Sequence, residues 1–174
     1  SCTYELPQGI YPLLDTPAAE DFTFDSEGYL VTVNVDHALV KTSYQGETTT
    51  LATGITGGKR NGGDVSRGNR FLLDGDLVVA DSTHHRLLRV SLDGGQETIL
   101  ADVPVPNGIV VGMDGLVYVT CMRGEVRRVN PDTGDYTVLA AADQTFDGIA
   151  LGLDDRILFV GDEDSGELFR IDLD

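Results

Sequence analysis

The sequence predicts an all-β fold, a β-propeller built of four-stranded antiparallel blades. Three observations point there. Residues 106–120, "PNGIVVGMDGLVYVT", and residues 146–160, "FDGIALGLDDRILFV", repeat one pattern: polar residue, Gly, apolar run, tight turn, apolar run. Aligned on such pairs, the chain divides into four units whose second strands end at Asn34, Asp81, Cys121 and Gly161, spacings of 47, 40 and 40. A full unit carries four short β-branched or aromatic-rich runs between Asp-Gly, Gly-Gly or Pro-Asp-Thr-Gly turns, and no stretch keeps a helical apolar period. A four-stranded repeat of this length is the signature of a propeller blade.

Taken in order, blade one spans 18–53, with strands in "DFTF", "GYLVTVN", "ALVKTS" and "ETTTLAT". Blade two, 60–102, opens on "NGGDVSRGNRFLLDGDLVVAD" and continues through "RLLRVSLDGG" to "ETILAD". Blade three, 106–142, holds "PNGIVVGMDGLVYVTC", "EVRRVNPDTG" and "YTVLAA". Blade four, 146–174, supplies three strands, "FDGIALG", "RILFVG" and "ELFRIDLD". Its missing outer strand is expected from residues 9–15, because "PLLDTPAAED" reads like the tail of the other units, with Asp15 five residues before Glu20 as Asp102 is five before Asn107. Closing a ring in this way pairs an otherwise open strand edge. The expectation is one propeller domain, with self-association if four blades do not close alone.

Composition fits one soluble domain of 174 residues with 41% hydrophobic content. Twelve Lys and Arg against 29 Asp and Glu leave a net charge of −17, which argues against nucleic acid or an anionic membrane as partner. No stretch approaches the roughly 20 apolar residues that span a bilayer. The acidity suits an exported or saline-adapted protein. Cys2 and Cys121 form no metal or redox spacing, and Cys121 reads as a small buried residue. No Gly-x-Ser-x-Gly or His-Glu-x-x-His motif is present, which sets aside serine-hydrolase and zinc-protease chemistry.

In a propeller the first strand of each blade lines the central tunnel, so the residues leading into those strands gather at one mouth. They read Glu20, Asn61, Asn107 and Asp147, with Asp64 in "NGGDV" competing with Asn61 for the second place. The four differ in type, yet all offer oxygen. Two carboxylates and two amide carbonyls around one axis suit Ca²⁺ first, then Mg²⁺ or Mn²⁺. The competing reading gives these residues to capping backbone groups or holding channel water. The turns after the second strands lie at the same mouth and carry His37, His84, His85, Arg123 and the acidic "DEDSGE".

"AEDFTFD", "KRNGGDV" and the two long repeats resemble the superfamily of senescence marker protein (regucalcin), gluconolactonase and luciferin-regenerating enzyme, and "VADSTHHRLLRV" resembles the NHL-type blade. The resemblance implies a tunnel cation, often Ca²⁺, held by Glu20, Asn107 and Asp147, with Asn61 binding metal or substrate. It also implies hydrolysis of a small lactone or ester, with Asp147 ligating the metal and accepting a proton from water. The family is typically six-bladed, whereas four repeats are visible here. Its Arg-x-Asn near the substrate reads Lys59-Arg60-Asn61. Lys59, Arg123, His37 and His84 are the further substrate-binding candidates, while His85 matches a structural position of NHL-like blades. The alternative function is a non-catalytic propeller that binds Ca²⁺, a ligand or a partner. A metal-free strictosidine-synthase-like fold is disfavoured by keeping Glu20 and Asp147 together.

Overall fold

The computed structural model describes residues 21–34, 36–55, 59–60, 63–64 and 68–173, with 59–60 and 63–64 described in their backbone alone. Blade one is an antiparallel sheet of β1 (Phe22–Phe24), β2 (Leu30–Val33), β3 (Ala38–Thr42) and β4 (Thr48–Thr53), in that order. A two-stranded piece, β5 (Lys59–Arg60) and β6 (Gly63–Asp64), follows. Blade two comprises β7 (Asn69–Phe71), β8 (Leu77–Asp81), β9 (Arg86–Val90) and β10 (Gln96–Leu100). Blade three comprises β11 (Pro106–Val111), β12 (Val117–Cys121), β13 (Glu125–Val129) and β14 (Tyr136–Ala141). Blade four has three strands among the described residues, β15 (Phe146–Leu151), β16 (Ile157–Asp162) and β17 (Leu168–Asp172). The closing strand expected from residues 9–15 lies outside the described residues.

Two boundaries differ from the sequence reading. Blade two begins at Asn69, because Lys59–Asp64 pairs on itself rather than joining the blade. "NGGD" has no apolar side chain to commit it to a face, whereas the Asp74-Gly75 turn locks Phe71 opposite Leu77. In blade four the second strand ends at Asp162 rather than Gly161: Phe146 pairs with Asp162 as Pro106 pairs with Cys121. The preceding turn is one residue longer, with Gly152 N–H bonding Ile157 O where Gly112 N–H bonds Leu116 O. Asp155 takes a left-handed φ of 53 there, where blade three uses Gly115. Its carboxylate accepts the Met113 N–H at 2.5 Å, an interaction that offsets the backbone cost.

Blades stack face to face through apolar seams. Between blades one and two, Val31, Val33 and Leu39 meet Leu77, Val79 and Leu88. Between two and three, Val78, Ala80 and Leu87 meet Ile109, Val117 and Val119. Between three and four, Tyr118 and Val126 meet Phe146, Leu158 and Val160. Strands β8 and β12 are buried at every residue, because neighbours cover both of their faces. Strand β16 alternates half-buried with buried, so one face of blade four has no comparable cover among the described residues. Cys121 is a free, buried thiol in this core, and burial pushes its pKa up to about 12.

The inner strands β1, β7, β11 and β15 line a common central space, as the inner strands of consecutive blades do in a full or partial propeller. No helix among the described residues is long and apolar enough to cross a membrane.

Candidate functional site

Asn107 and Asp147 meet across the seam of blades three and four, where Asn107 Nδ2 donates to Asp147 Oδ1 at 2.6 Å. The local sequence explains the approach. Each residue is followed by Gly, and at Gly108 an added Cβ would lie 2.5 Å from the Asp147 carbonyl oxygen and 2.9 Å from Ile149 Cγ2. Gly108 is therefore the residue that lets the two inner strands close together. Thr120, fully buried on β12, clasps the pair: its hydroxyl donates to Asp147 O at 2.6 Å and accepts from Gly108 N–H at 2.9 Å. Gly68 N–H in turn donates to Asn107 O at 2.9 Å, joining blade two to blade three.

Upstream of Asn107, Val105 holds a left-handed φ of 55, which costs a β-branched residue about 1–3 kcal/mol. Two contacts keep it there: Val105 N–H donates to His85 Nδ1 at 3.2 Å, and Val105 O accepts from Met122 N–H at 3.0 Å. The Ser82 hydroxyl donates to the carbonyl of Pro106. The crossover that delivers Asn107 is thus pinned from blades two and three together.

A cavity of about 350 Å³ opens at this mouth, lined by Asp21, Arg70, Asn107 and Asp147, with Gly108, Ile109, Gly148 and Ile149. All four blades contribute. Arg70 is a residue that the sequence pattern did not single out. Its Nη1 lies 3.1 Å from both Asp21 carboxylate oxygens and 2.7 Å from Asn69 O. Its Nε and Nη2 have no acceptor among the described residues. The hub therefore carries a paired guanidinium beside a carboxylate–amide couple.

The structure separates the expected site residues. Asn107 and Asp147 come together. Glu20 and Asn61 lie outside the described residues. Asn107 precedes Gly112 by five residues, and the same count back from the matching turn residues reaches Glu20 from Asp25, Asp147 from Gly152, and residue 67, not 61, from Leu72. Lys59 and Asp64 pair in the backbone of β5 and β6, apart from β7. Residues 61 and 67 both lie outside the described residues. Asn69 is fully buried at the place of Ile109, and its side-chain amide has no hydrogen-bond partner among the described residues.

The turn residues do not line the cavity. His37 and His85 have left-handed backbones (φ 60 and 55) where blade three has Gly124, and the carbonyls of all three accept the N–H of Ile55, Val103 and Ala142 respectively. That is a blade-building role. His84, half exposed, sets Nδ1 3.0 Å from both oxygens of buried Asp81, which also accepts from Arg86 Nε at 2.7 Å. Arg123 is exposed on its turn. Asp162, at the place of Cys121, has its carboxyl held below the ordinary range chiefly by the Ser165 hydroxyl, and it accepts from Thr145 N–H at 3.0 Å. Among the described residues, no group of three or more His, Cys, Asp and Glu side chains is placed to hold a metal ion.

No family model matches the sequence, and no curated protein is similar to it. Solved structures are similar in fold. Gluconolactonase from Xanthomonas campestris superposes with a TM-score of 0.69 at 17% identity, over 91% of this chain and 58% of that one. A virginiamycin B lyase from Staphylococcus aureus gives 0.66 at 18% identity, over 87% of this chain and 54% of the lyase. An auxiliary nutrient binding protein from Bacteroides thetaiotaomicron gives 0.69 at 14% identity, over 91% of this chain and 39% of that protein. The chain spans little more than half the length of the two enzymes. It is a β-propeller related in fold to the lyase and gluconolactonase structures at low sequence identity.

Proposed function

We propose that this chain carries the hub of a divalent-metal-dependent hydrolase that opens a lactone or ester, with Ca²⁺ as the metal and Mg²⁺ or Mn²⁺ as alternatives. The observation that supports this reading is the Asn107–Asp147 contact at a tunnel mouth to which four blades contribute. The described donors fit a hard cation in their chemistry: carboxylate and amide oxygen, with no thiol or imidazole in the cavity lining. Asp147 and Asn107 would hold it, joined by Glu20 and by an amide from Asn69 or Asn61. Bound there, the cation supplies Lewis acidity toward a carbonyl oxygen.

The chain's own groups account for the rest. Asp147 accepts the proton of an attacking water. Asn107 Nδ2 restrains one carboxylate oxygen and leaves the other to act. Thr120 fixes the backbone of Asp147, so the carboxylate does not need ordering at the moment of reaction. Arg70 brings Nε and Nη2 donors to the cavity wall, where they can hold a substrate oxygen.

A second reading, a non-catalytic propeller that binds Ca²⁺ or a small ligand, is favoured by the Arg70–Asp21 pair, which neutralises one hub carboxylate. One experiment separates the two. Lactones and aryl esters are screened with the protein in EDTA and in Ca²⁺, and Tm is recorded under both conditions. The hydrolase reading expects Ca²⁺-dependent turnover, a Tm that falls on chelation and recovers with Ca²⁺, and loss of both responses in Asp147→Ala. Recovery of Tm with no turnover across the screen favours the binding module. A Tm indifferent to Ca²⁺ removes the metal from both.

A further inference from the structure

The mouth opposite Asn107 and Asp147 has a different chemistry. Each blade makes a tight turn there between its first two strands, and the second residue of that turn is Ser26, Leu73, Met113 and Leu153 in blades one to four. Leu73, Met113 and Leu153 are 70%, 71% and 106% exposed. Turn geometry does not explain them. The Asp that follows each one closes the turn, since Asp74, Asp114 and Asp154 accept the N–H of Asp76, Leu116 and Arg156 through Oδ1. The position before needs no apolar side chain, and exposing a large one in three successive blades works against solubility.

These side chains form one surface. Leu73 Cδ1 lies against the blade-three turn, 3.3 Å from where a Cβ on Gly115 would sit, and Met113 N–H bonds Asp155 of the blade-four turn. Between them a cavity of about 440 Å³ is walled by Phe24, Phe71, Val110, Val111 and Leu151. A second, of about 510 Å³, shares Phe24 and Phe71 and adds exposed Leu92. Acidic groups surround this apolar centre: Asp25, Glu27, Asp74, Asp114 and Asp154. Lys41 pairs with Asp25 at 2.5 Å and Glu27 at 3.2 Å, Arg89 with Asp76 at 2.7 Å and also with Asp74, and Arg156 with Asp154 at 3.8 Å. Arg70, paired with Asp21, and Asp155 also line the first cavity, and the acids of this face outnumber its cations.

We infer that this mouth is a docking surface for a protein segment that presents apolar side chains flanked by Lys or Arg. The apolar anchors fill the Phe24–Phe71–Met113–Leu153 hollow, and the flanking cations meet the acidic turns. A second copy of this chain does not suit it: a protein of net charge −17 would bring an equally acidic rim to an acidic rim. A purely apolar small molecule would leave the charged rim without a role.

The test uses the intact chain and two labelled synthetic peptides with one Leu/Phe core, one flanked by Lys and the other by Glu. Fluorescence anisotropy is expected to show the Lys-flanked peptide binding at least tenfold more tightly than the Glu-flanked one, weakening as salt rises. Leu73→Ser/Met113→Ser/Leu153→Ser, at exposed positions that the fold does not need, should lose at least tenfold. Val138→Ser, at an exposed apolar site on the outer edge of blade three, should lose nothing. In the unsubstituted protein the methyl resonances of Leu73, Met113 and Leu153 should shift on addition of the Lys-flanked peptide. Equal binding by the triple variant, equal binding of the two peptides, or unmoved methyl signals would each overturn the inference. A concentration-dependent dimer abolished by the triple variant would also overturn it and assign the face to self-association.

Discussion

Blades three and four are near-copies in sequence, yet the same glycine does different work in each. Gly108 has the Asp147 carbonyl, Ile149 and Thr120 within 3.0 Å of the position a Cβ would take, whereas Gly148 has nothing within 4 Å. Blades two, three and four each carry a glycine here, and among the described residues Gly68 and Gly108 meet the backbone of the next blade while Gly148 does not. Burial agrees: β12 is covered along its whole length, and β16 on alternate residues. A repeated residue is thus not evidence of a repeated contact.

Four measurements test this difference between the blades. Gly108→Ala should be the most damaging change, because the new methyl meets the Asp147 carbonyl oxygen, a backbone atom that cannot swing away, and the side chains of Ile149 and buried Thr120. We expect a loss of about 3 kcal/mol by urea denaturation. A loss below about 1 kcal/mol would mean that the seam is looser than described. Thr120→Val keeps the shape of the clasp and removes its hydroxyl, leaving the Asp147 carbonyl and Gly108 N–H without that partner. A loss of about 1–3 kcal/mol is expected, with slower turnover of any lactone or ester the protein hydrolyses.

The third concerns pH. The Ser165 hydroxyl lowers the folded pKa of Asp162 below its ordinary value of 3.8, so folding favours the ionised carboxylate. The resulting stability is present above the unfolded value and is lost as pH falls through the lower folded one. Urea midpoints followed downward from pH 5 should therefore fall more shallowly for Ser165→Ala than for the unsubstituted protein. Blade three carries Cys121 at the matching position and offers no such titration. The smallest effect is expected for Gly148→Ala, within about 0.5 kcal/mol of the unsubstituted protein. A large loss there would mean that another surface covers blade four in solution.

Much of the fold was legible because strand alternation and turn chemistry are local. "MDG" and "DTG" fix their turns wherever they occur, and a run such as "LVVA" already shows that both faces of a strand are covered. Asn107 and Asp147 were legible for the same reason, since both stand a constant distance before their turns. The start of blade two was not. "KRNGGDV" and "SRGNRF" compete for one place, and only the pairing of Phe71 with Leu77 chooses between them. The longer turn at Asp155, which shifts Gly161 to Asp162, was hidden because Asp-Asp-Arg resembles an ordinary Asp-Gly turn until its hydrogen bond is seen.

Sequence alone was enough for the blade, its period, its turns and the polar residues Asn107 and Asp147 at the start of the third and fourth inner strands, because these depend on neighbours a few residues away. Tertiary structure decided what stands beside what. It brought the Asn107 amide to the Asp147 carboxylate, set Arg70 and Asp21 into the same hub, and gathered Leu73, Met113 and Leu153 around the opposite mouth. Those contacts join residues 40 or more positions apart, as with Asn107 and Asp147. Their geometry comes from the angle at which one blade seats on the next, which no local pattern encodes.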